Sequence, residues 1–322
     1  MGANPLATGE LAGRRVLVTG ARGFIGSHLV PRLLGAGADL HYVSRNPPEP
    51  AGGGRWWRAD VGDRLAVERL FQLVKPDLVY HLAGHVTARP EISQVVPTFA
   101  SLLSSTVWVL LESVNHHARR VVVVGSAAET QMHDPDPAPG SPYVAAKWAA
   151  SGYARMFHAL YGAPVVIIRP AMTYGPGQPR EKLVPAVAGA LLRNECPPLS
   201  SGQMTADWAY IDDVAEGLCR AGHVAGIEGS TLDLGSGKVI SVRDLVAHIV
   251  RVVAGQRGHC PEPQFGALPD RPHEGFRAAN ADETSRRLGW RATTSLDDGL
   301  RRTVYWLSES QPGADRRTQG RA

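Results

Sequence analysis

Cysteine is scarce in this sequence, and its scarcity argues against two kinds of site. The 322 residues include three cysteines, Cys196, Cys219 and Cys260, which lie far apart and show no paired spacing. Zinc sites and disulfide frameworks both need cysteines at close or regular intervals. We therefore expect no metal site and no disulfide, and the unpaired cysteines favour a reduced, cytoplasmic protein.

A strong excess of one charge is also missing. The sequence has 34 Lys and Arg residues against 30 Asp and Glu residues, a formal net charge of +4. The basic residues are spread along the chain, so nucleic-acid binding is not indicated. The first twelve residues lack the basic segment and apolar run of a secretory signal. No apolar run approaches the length of a membrane span, and we expect no membrane association.

Short apolar runs rich in β-branched residues recur along the first half of the sequence. Each run is nearly continuously apolar, as in strands buried on both faces, and the intervals leave room for a crossover helix. This alternation predicts an α/β fold with a doubly wound, parallel Rossmann sheet. The predicted strands are residues 15–19, 40–43, 78–82, 121–124 and 165–168.

Beyond the fifth predicted strand, loops rich in Pro and Gly interrupt the pattern. We expect a dinucleotide-binding domain over 13–171, with elements near 208–254 rejoining it, and a smaller C-terminal substrate-binding lobe over 172–310. Residues 1–12 and the Arg-rich segment 311–322 are predicted to be disordered tails. Helical patterns in this half lie near 181–193, 212–222, 241–254 and within 281–308.

A glycine-rich loop directly follows the first predicted strand and opens a helix, with the pattern G-x-x-G-x-x-G. Gly20 permits a tight turn, Gly23 lets backbone N–H groups approach a pyrophosphate, and Gly26 lets the helix pack closely on the strand. The alternative is a plain turn, but the strand before the loop and the helix after it favour a dinucleotide site. The predicted contacts in the loop are Gly20, Arg22, Gly23, Phe24, Ile25 and Gly26.

The end of the second predicted strand indicates which dinucleotide binds. An acidic residue there would bind the adenosine ribose of NAD, whereas a cation would accept the additional phosphate of NADP. The sequence has Ser44 and Arg45 at this point, and Arg22 in the glycine loop is a second cation. We therefore predict NADP(H) over NAD. The alternative is that Arg45 is an ordinary surface residue.

Tyr143 and Lys147 are the candidate catalytic pair. Ser141 and Pro142 are typical of a helix N-cap and first helical position, so the pair lies one turn apart on one helix face. A phenol has a pKa of about 10, and a neighbouring ammonium favours the phenolate. Such a tyrosine can exchange a proton with a sugar oxygen during hydride transfer. Ser126, after the fourth predicted strand, could hydrogen-bond the same oxygen or simply cap a loop.

These residues resemble the extended short-chain dehydrogenases/reductases of the NAD-dependent epimerase/dehydratase family, which modify nucleotide-linked sugars. The resemblance runs from Arg14 to about Trp306. It implies that Ser126, Tyr143 and Lys147 form the catalytic triad, and that the protein is a homodimer built from helices near 99–114 and 143–160. It also implies further cofactor contacts from Ser44, Arg45, Asp60, Val61, Leu82, Ala83, Lys147 and Arg169, and substrate contacts from His85, Met172 and Arg271.

The sequence also departs from the family pattern. Ala127 and Ala128 replace the Asp-Glu pair of the family's dehydratases, so a 4,6-dehydration lacks its acid and base. The Ser44-Arg45 turn and the 81–85 segment resemble reductases of nucleotide-4-keto sugars that use NADPH. We therefore predict NADPH-dependent reduction at C4 of such a sugar. The alternatives are an NAD-dependent nucleotide-sugar epimerase and a non-catalytic, dinucleotide-binding regulatory protein. Glu129 is a candidate auxiliary acid.

Overall fold

The computed structural model describes residues 9–48, 53–87, 89–129, 138–270 and 277–310. Its strands are β1 (Arg15–Thr19), β2 (Asp39–Ser44), β3 (Arg55–Arg58), β4 (Leu78–His81), β5 (Arg120–Val124), β6 (Val165–Pro170), β7 (Met172–Tyr174), β8 (Thr205–Tyr210), β9 (Thr231–Leu234) and β10 (Val239–Ser241). Its α-helices are α1 (Phe24–Gly35), α2 (Arg64–Val74), α3 (Val95–Thr98), α4 (Ser105–Asn115), α5 (Pro142–Tyr161), α6 (Leu183–Leu192), α7 (Ile211–His223), α8 (Val242–Arg257), α9 (Ala281–Leu288) and α10 (Leu296–Glu309).

Seven parallel strands form the large sheet, in the order β3-β2-β1-β4-β5-β6-β9. The β-branched runs that predicted the strands lie in its interior, and the four valines of β5 are all buried. The chain builds the sheet in both directions from β1, which pairs with β2 on one side and with β4 on the other. A crevice for a ligand therefore opens beyond the carboxyl ends of β1 and β4. The predicted doubly wound α/β fold is confirmed.

A second, three-stranded sheet has the order β10-β8-β7. Helices α6, α8 and α10 pack together beside it, and apolar side chains such as Val187, Leu245 and Val304 form a core separate from those on the two faces of the large sheet. The C-terminal half is not confined to this lobe, because β9 pairs with β6 in the large sheet. The C-terminal half of the chain therefore contributes both to the smaller lobe and to the large sheet.

Helical structure is continuous from Ile92 to Asn115 and contains a π-helical turn at Phe99–Ser104. This segment is long and apolar enough to cross a membrane, with a mean hydropathy of 1.5, so the expectation that no run approaches that length was wrong. Its inner face nevertheless belongs to the α/β core, because Leu102, Val109 and Leu110 are buried. One such helix, packed against α2 and α5, does not indicate a membrane protein.

The described structure includes residues that precede the predicted domain boundary at residue 13. Leu11 is buried, and its N–H donates to Ala36 O at 3.0 Å. The predicted tail of residues 1–12 is therefore too long, since its last part packs against the end of α1. Residues 1–8 and the other predicted tail, 311–322, lie outside the described residues.

Candidate active site

Two glycines of the loop after β1 lie too close to neighbouring backbone to be replaced by residues with a side chain. Gly20 has a φ of +73°, and a Cβ on it would lie 2.8 Å from Ala83 N. A Cβ on Gly26 would lie 2.3 Å from Gly20 O. Gly23 precedes α1, and no side-chain cap occupies that helix end in the described residues. The N–H groups of the first turn are thus available to an anion such as a pyrophosphate.

A chain of hydrogen bonds fixes the backbone opposite this loop. Thr19 Oγ1 accepts from Leu82 N at 3.1 Å and from Ala83 N at 3.0 Å, and it bonds His81 Nδ1 at 2.9 Å. The Ser105 hydroxyl donates to a backbone carbonyl, so it accepts from His81 Nε2 at 3.2 Å. Burial lowers the pKa of His81 to about 3, and its ring is therefore neutral. The backbone of Leu82 and Ala83, which lies against Gly20 of the glycine loop, is therefore held in place by hydrogen bonds to β1.

The residues predicted to contact the adenosine half lie at the ends of β2 and β3. Arg22 Nη1 donates to Asn46 O at 3.3 Å, which brings the glycine loop to the turn after β2. In that turn Ser44 Oγ accepts from Asn46 N at 3.2 Å, and the Arg45 side chain is exposed. The two predicted cations therefore lie on elements that meet at the same edge of the crevice.

The turn after β3 holds two further predicted cofactor contacts, Asp60 and Val61. Asp60 Oδ1 accepts from Gly62 N at 2.9 Å, and Val61 between them is half-buried. A Cβ on Gly62 would lie 3.4 Å from Ala100 O, so this turn packs against the π-helical turn. Phe24 and Ile25, also predicted cofactor contacts, are half-buried and pack against the core of the smaller lobe.

The structure brings Ser126, Tyr143 and Lys147 together at the carboxyl end of β5. The predicted cap of α5 is present, because Ser141 Oγ accepts from Val144 N at 3.3 Å. The Ser126 hydroxyl lies beside the Tyr143 side chain, and it accepts from the N–H of the second alanine after it at 3.2 Å. Ser126 therefore caps its loop and faces the tyrosine at the same time. The buried ammonium of Lys147 donates to the carbonyl of the last β5 residue at 2.5 Å.

Burial governs the protonation of this group. It lowers the pKa of Lys147 to about 8, while the nearby charge of Glu129 opposes the change. Burial also raises the pKa of Tyr143, and the Glu129 charge adds to that rise, whereas the Ser126 hydrogen bond acts against it. The sequence-based expectation of a lowered tyrosine pKa therefore fails in the protein alone. An oxidised nicotinamide ring beside the phenol would favour the phenolate.

Two carboxylates near the site, Glu129 and Asp233, have partners that the sequence did not predict. Glu129 is buried, and its Oε1 accepts from Ser126 N at 2.7 Å. Arg169, predicted to contact the cofactor, donates from Nε to Asp233 Oδ1 on β9 at 2.7 Å. That ion pair joins the last two strands of the sheet, and Asp233 also accepts from Asn280 N at 3.1 Å. Arg169 and Asp233 lie 64 residues apart, so no local sequence pattern predicts their ion pair.

The predicted substrate residues are less closely grouped. Met172 begins β7 and packs against the core of the smaller lobe, whereas His85 is exposed and its Nε2 lies 2.9 Å from Gln94 Oε1. Arg271 lies outside the described residues.

Asp207 accepts from the N–H groups of three residues beyond it in the chain, including Ala279, and so holds the segment that follows residue 276. Among the described residues, no group of three His, Cys, Asp or Glu side chains could hold a metal.

Comparison with known proteins identifies the family. Residues 16–235 match the NAD dependent epimerase/dehydratase family. This chain belongs to that family. It is 31% identical to a probable dTDP-glucose 4,6-dehydratase of Sinorhizobium fredii, over 92% of this chain and 93% of the relative. It is 30% identical to the UDP-glucose 4-epimerase of Mycolicibacterium smegmatis, over 92% of this chain and all of the relative.

A solved structure agrees with the family assignment. The UDP-glucose 4-epimerase of Thermus thermophilus, solved in complex with NAD, superposes with a TM-score of 0.80 at 25% identity, covering 92% of this chain and 100% of that one. The extended short-chain dehydrogenase/reductase resemblance is confirmed, and members of the epimerase/dehydratase family are enzymes. The chain is thus an enzyme of nucleotide-sugar metabolism with a Rossmann fold that binds a nicotinamide dinucleotide.

Proposed function

We propose that this enzyme reduces C4 of a nucleoside-diphosphate-4-keto sugar with NADPH. The observation that carries the proposal is the grouping of Ser126, Tyr143 and the buried ammonium of Lys147 at the carboxyl end of β5. The glycine loop after β1 leaves the same side of the sheet. The dinucleotide supplies the hydride when bound. Tyr143 donates the proton to the sugar oxygen, Ser126 orients that oxygen by a hydrogen bond, and Lys147 holds the cofactor ribose.

A dehydratase activity fits this site less well, although several relatives are dehydratases. Elimination of water from C5 and C6 of a 4-keto sugar needs an acid and a base beside the sugar ring. The two positions after Ser126 are Ala127 and Ala128, which are half-buried and offer no ionisable group. Removal of the acid and base leaves the hydride-transfer step that the remaining triad supports.

The cofactor preference rests on the edge of the crevice near β2. Arg45 is exposed in the turn after that strand, and Arg22 reaches the same turn through Asn46. Two guanidinium groups, with no carboxylate among the described residues 44–48 at the end of β2, favour a ligand with an additional phosphate. We therefore propose NADP(H), with the pyrophosphate on the first turn of α1.

An NAD-dependent epimerase is the second candidate, and the relatives favour it. The M. smegmatis relative is a UDP-glucose 4-epimerase, and the T. thermophilus enzyme was solved with NAD. An epimerase would oxidise C4 and return the same hydride to the other face, using the same three residues. The two reactions differ in net redox change, because the reductase consumes one NADPH for each product and the epimerase consumes none.

Calorimetric titration of the cofactor-stripped protein with NADPH and with NAD⁺ tests this choice. We expect NADPH to bind at least about tenfold more tightly, a difference of about 1.4 kcal/mol. Tight NAD⁺ binding with weak NADPH binding would overturn the reductase proposal and favour the epimerase.

We further propose that the enzyme is a cytoplasmic homodimer that pairs α5 and the helix around Phe99 with their copies. Exposed apolar side chains on these two helical segments support that surface. Phe99 is 55% exposed, Tyr153 is 43% exposed and Leu160 is 68% exposed. A second copy of the chain would remove this apolar surface from water.

A further inference from the structure

Glu129 is a buried carboxylate that the proposed reaction does not use. It lies three residues after Ser126 at the end of the tight turn that follows β5, and it is 5% exposed. Its side chain folds back on the serine, because Oε1 accepts from Ser126 N at 2.7 Å, while the Glu129 N–H donates to Ser126 O at 3.1 Å. These two bonds tie the backbone of the serine to one acidic side chain.

The residue before the serine makes room for this carboxylate. A Cβ on Gly125 would lie 2.4 Å from Glu129 Oε1 and 3.1 Å from Arg169 Cγ. Both distances are shorter than side-chain packing normally allows. The glycine at position 125 therefore lets the carboxylate lie against the backbone between β5 and the Arg169 side chain.

Charged groups from two elements face Glu129. Lys147 and Tyr143 face it from α5, and Arg169 faces it from β6, where that guanidinium is also paired with Asp233. Burial raises the pKa of Glu129, whereas the Ser151 hydroxyl on α5, the Ser126 N–H and the charges of Arg169 and Lys147 act in the opposite direction. Glu129 is thus one of two carboxylates, with Asp233, in a group that also contains the cations Lys147 and Arg169.

The other neighbour of Lys147 is His81 on β4. Burial, together with the charge of Lys147, lowers the pKa of His81 to about 3, so that ring is neutral and offers the ammonium no negative partner. Glu129 is the acidic group whose charge raises the pKa of Lys147 against burial. Loss of that charge would therefore lower the pKa values of both Lys147 and Tyr143.

We propose that Glu129 is a positioning residue of the hydride-transfer site: its carboxylate holds Ser126 against Tyr143, and its charge balances the buried ammonium of Lys147. This inference deepens the proposed function and rests on it. The two roles are separable, because an amide can accept the Ser126 N–H bond but carries no charge.

Glu129→Gln separates them. The glutamine keeps an oxygen for the Ser126 N–H and removes the charge, so the pKa values of both Lys147 and Tyr143 should fall. We expect the basic limb of the pH profile of kcat/KM to move to lower pH by about 0.5 unit or more. Glu129→Asp keeps the charge but shortens the reach, so it should lower kcat and leave that limb near its wild-type position.

A readout without turnover distinguishes failure of this inference from failure of the proposed function. The tyrosinate absorbance of wild type minus that of Tyr143→Phe isolates the titration of Tyr143 among the 8 tyrosines. The same difference in the Glu129→Gln background should shift to lower pH, whichever sugar the enzyme accepts. Absence of any 4-keto sugar reduction would remove the proposed reaction but not this spectroscopic result.

The control is Glu195→Gln, a charge removal at an exposed glutamate on the surface. It should leave the Tyr143 difference titration unchanged. A Glu129→Gln protein whose Tyr143 titration matches that of wild type, with only a lowered melting temperature, would overturn the inference and leave Glu129 a purely structural residue. Circular dichroism of each variant at the titration temperature establishes that the folded protein is being titrated.

Discussion

At the scale of single residues, the Tyr143 hydroxyl carries the proton of the proposed reaction. Tyr143→Phe removes the hydroxyl while keeping the ring that packs in the site, so kcat should fall by about 100- to 10,000-fold with little change in cofactor affinity. The matched control is Tyr305→Phe on α10, whose phenol is 60% exposed and bonds Glu309. Steady-state kinetics of both variants make the test, and a Tyr143→Phe enzyme with wild-type kcat would contradict the assignment.

Arg45 is the residue that we propose sets the cofactor preference. Arg45→Ala should weaken NADPH binding by about tenfold, or about 1.4 kcal/mol, and leave NADH binding unchanged, because only NADPH has the additional phosphate. Arg119→Ala is the control, since Arg119 is exposed at the opposite end of the large sheet, before β5. Calorimetry with both nucleotides measures the difference. Equal weakening of NADPH and NADH by Arg45→Ala would show that Arg45 does not read the phosphate.

Single-residue predictions from the sequence succeed where the chemistry is local. The glycine loop, the Ser141 cap and the Tyr143–Lys147 spacing all lie within a few residues, and the structure has the loop and the cap as predicted. The Arg169–Asp233 pair and the four acceptor bonds of Asp207 join positions that are far apart in sequence. Their partners depend on the strand order, which the local pattern does not contain.

At the scale of elements, the close contact between α1 and the glycine loop after β1 shapes the proposed dinucleotide site. Gly26→Ala places a Cβ 2.3 Å from Gly20 O and 2.8 Å from Ala21 Cα, so α1 must move away from the strand. We expect a loss of about 1–3 kcal/mol in the free energy of unfolding and at least about tenfold weaker dinucleotide binding.

Gly255→Ala in α8 is the matched control for that change. A Cβ there meets nothing within 4 Å, so the substitution should be neutral or stabilising by up to about 1 kcal/mol. Chemical denaturation and calorimetry measure both effects. Wild-type dinucleotide affinity in Gly26→Ala would contradict the role given to the close contact between helix and strand.

Elements were predictable where they are long and apolar. The five predicted strands correspond to β1, β2, β4, β5 and β6. The strand β3 was not among them, because Arg55-Trp56-Trp57-Arg58 is an edge strand with charged ends and no β-branched run. The short strands of the smaller sheet and the π-helical turn at Phe99–Ser104 leave no periodic pattern in the sequence. They form because tertiary packing favours them.

At the scale of the whole molecule, the strand order of the large sheet places the glycine loop, the β2 turn and the triad at one edge. These parts come from residues 20–26, 44–46 and 126–147, which the sequence analysis found separately. The smaller sheet follows at once after β6, so the elements that would hold the sugar are built onto the same edge. The topology therefore brings together the proposed cofactor site, the proposed proton donor and the smaller lobe.

The central claim is that the enzyme spends one NADPH to reduce C4 of a nucleotide-linked 4-keto sugar. The direct measurement mixes the purified enzyme with NADPH deuterated at nicotinamide C4 and a dTDP-4-keto-6-deoxy sugar, made from dTDP-glucose by a separate dehydratase. We predict one NADPH oxidised for each ketone consumed and deuterium at C4 of the product sugar. Interconversion of UDP-glucose and UDP-galactose without NADPH consumption, together with no reduction of the ketone, would contradict the account.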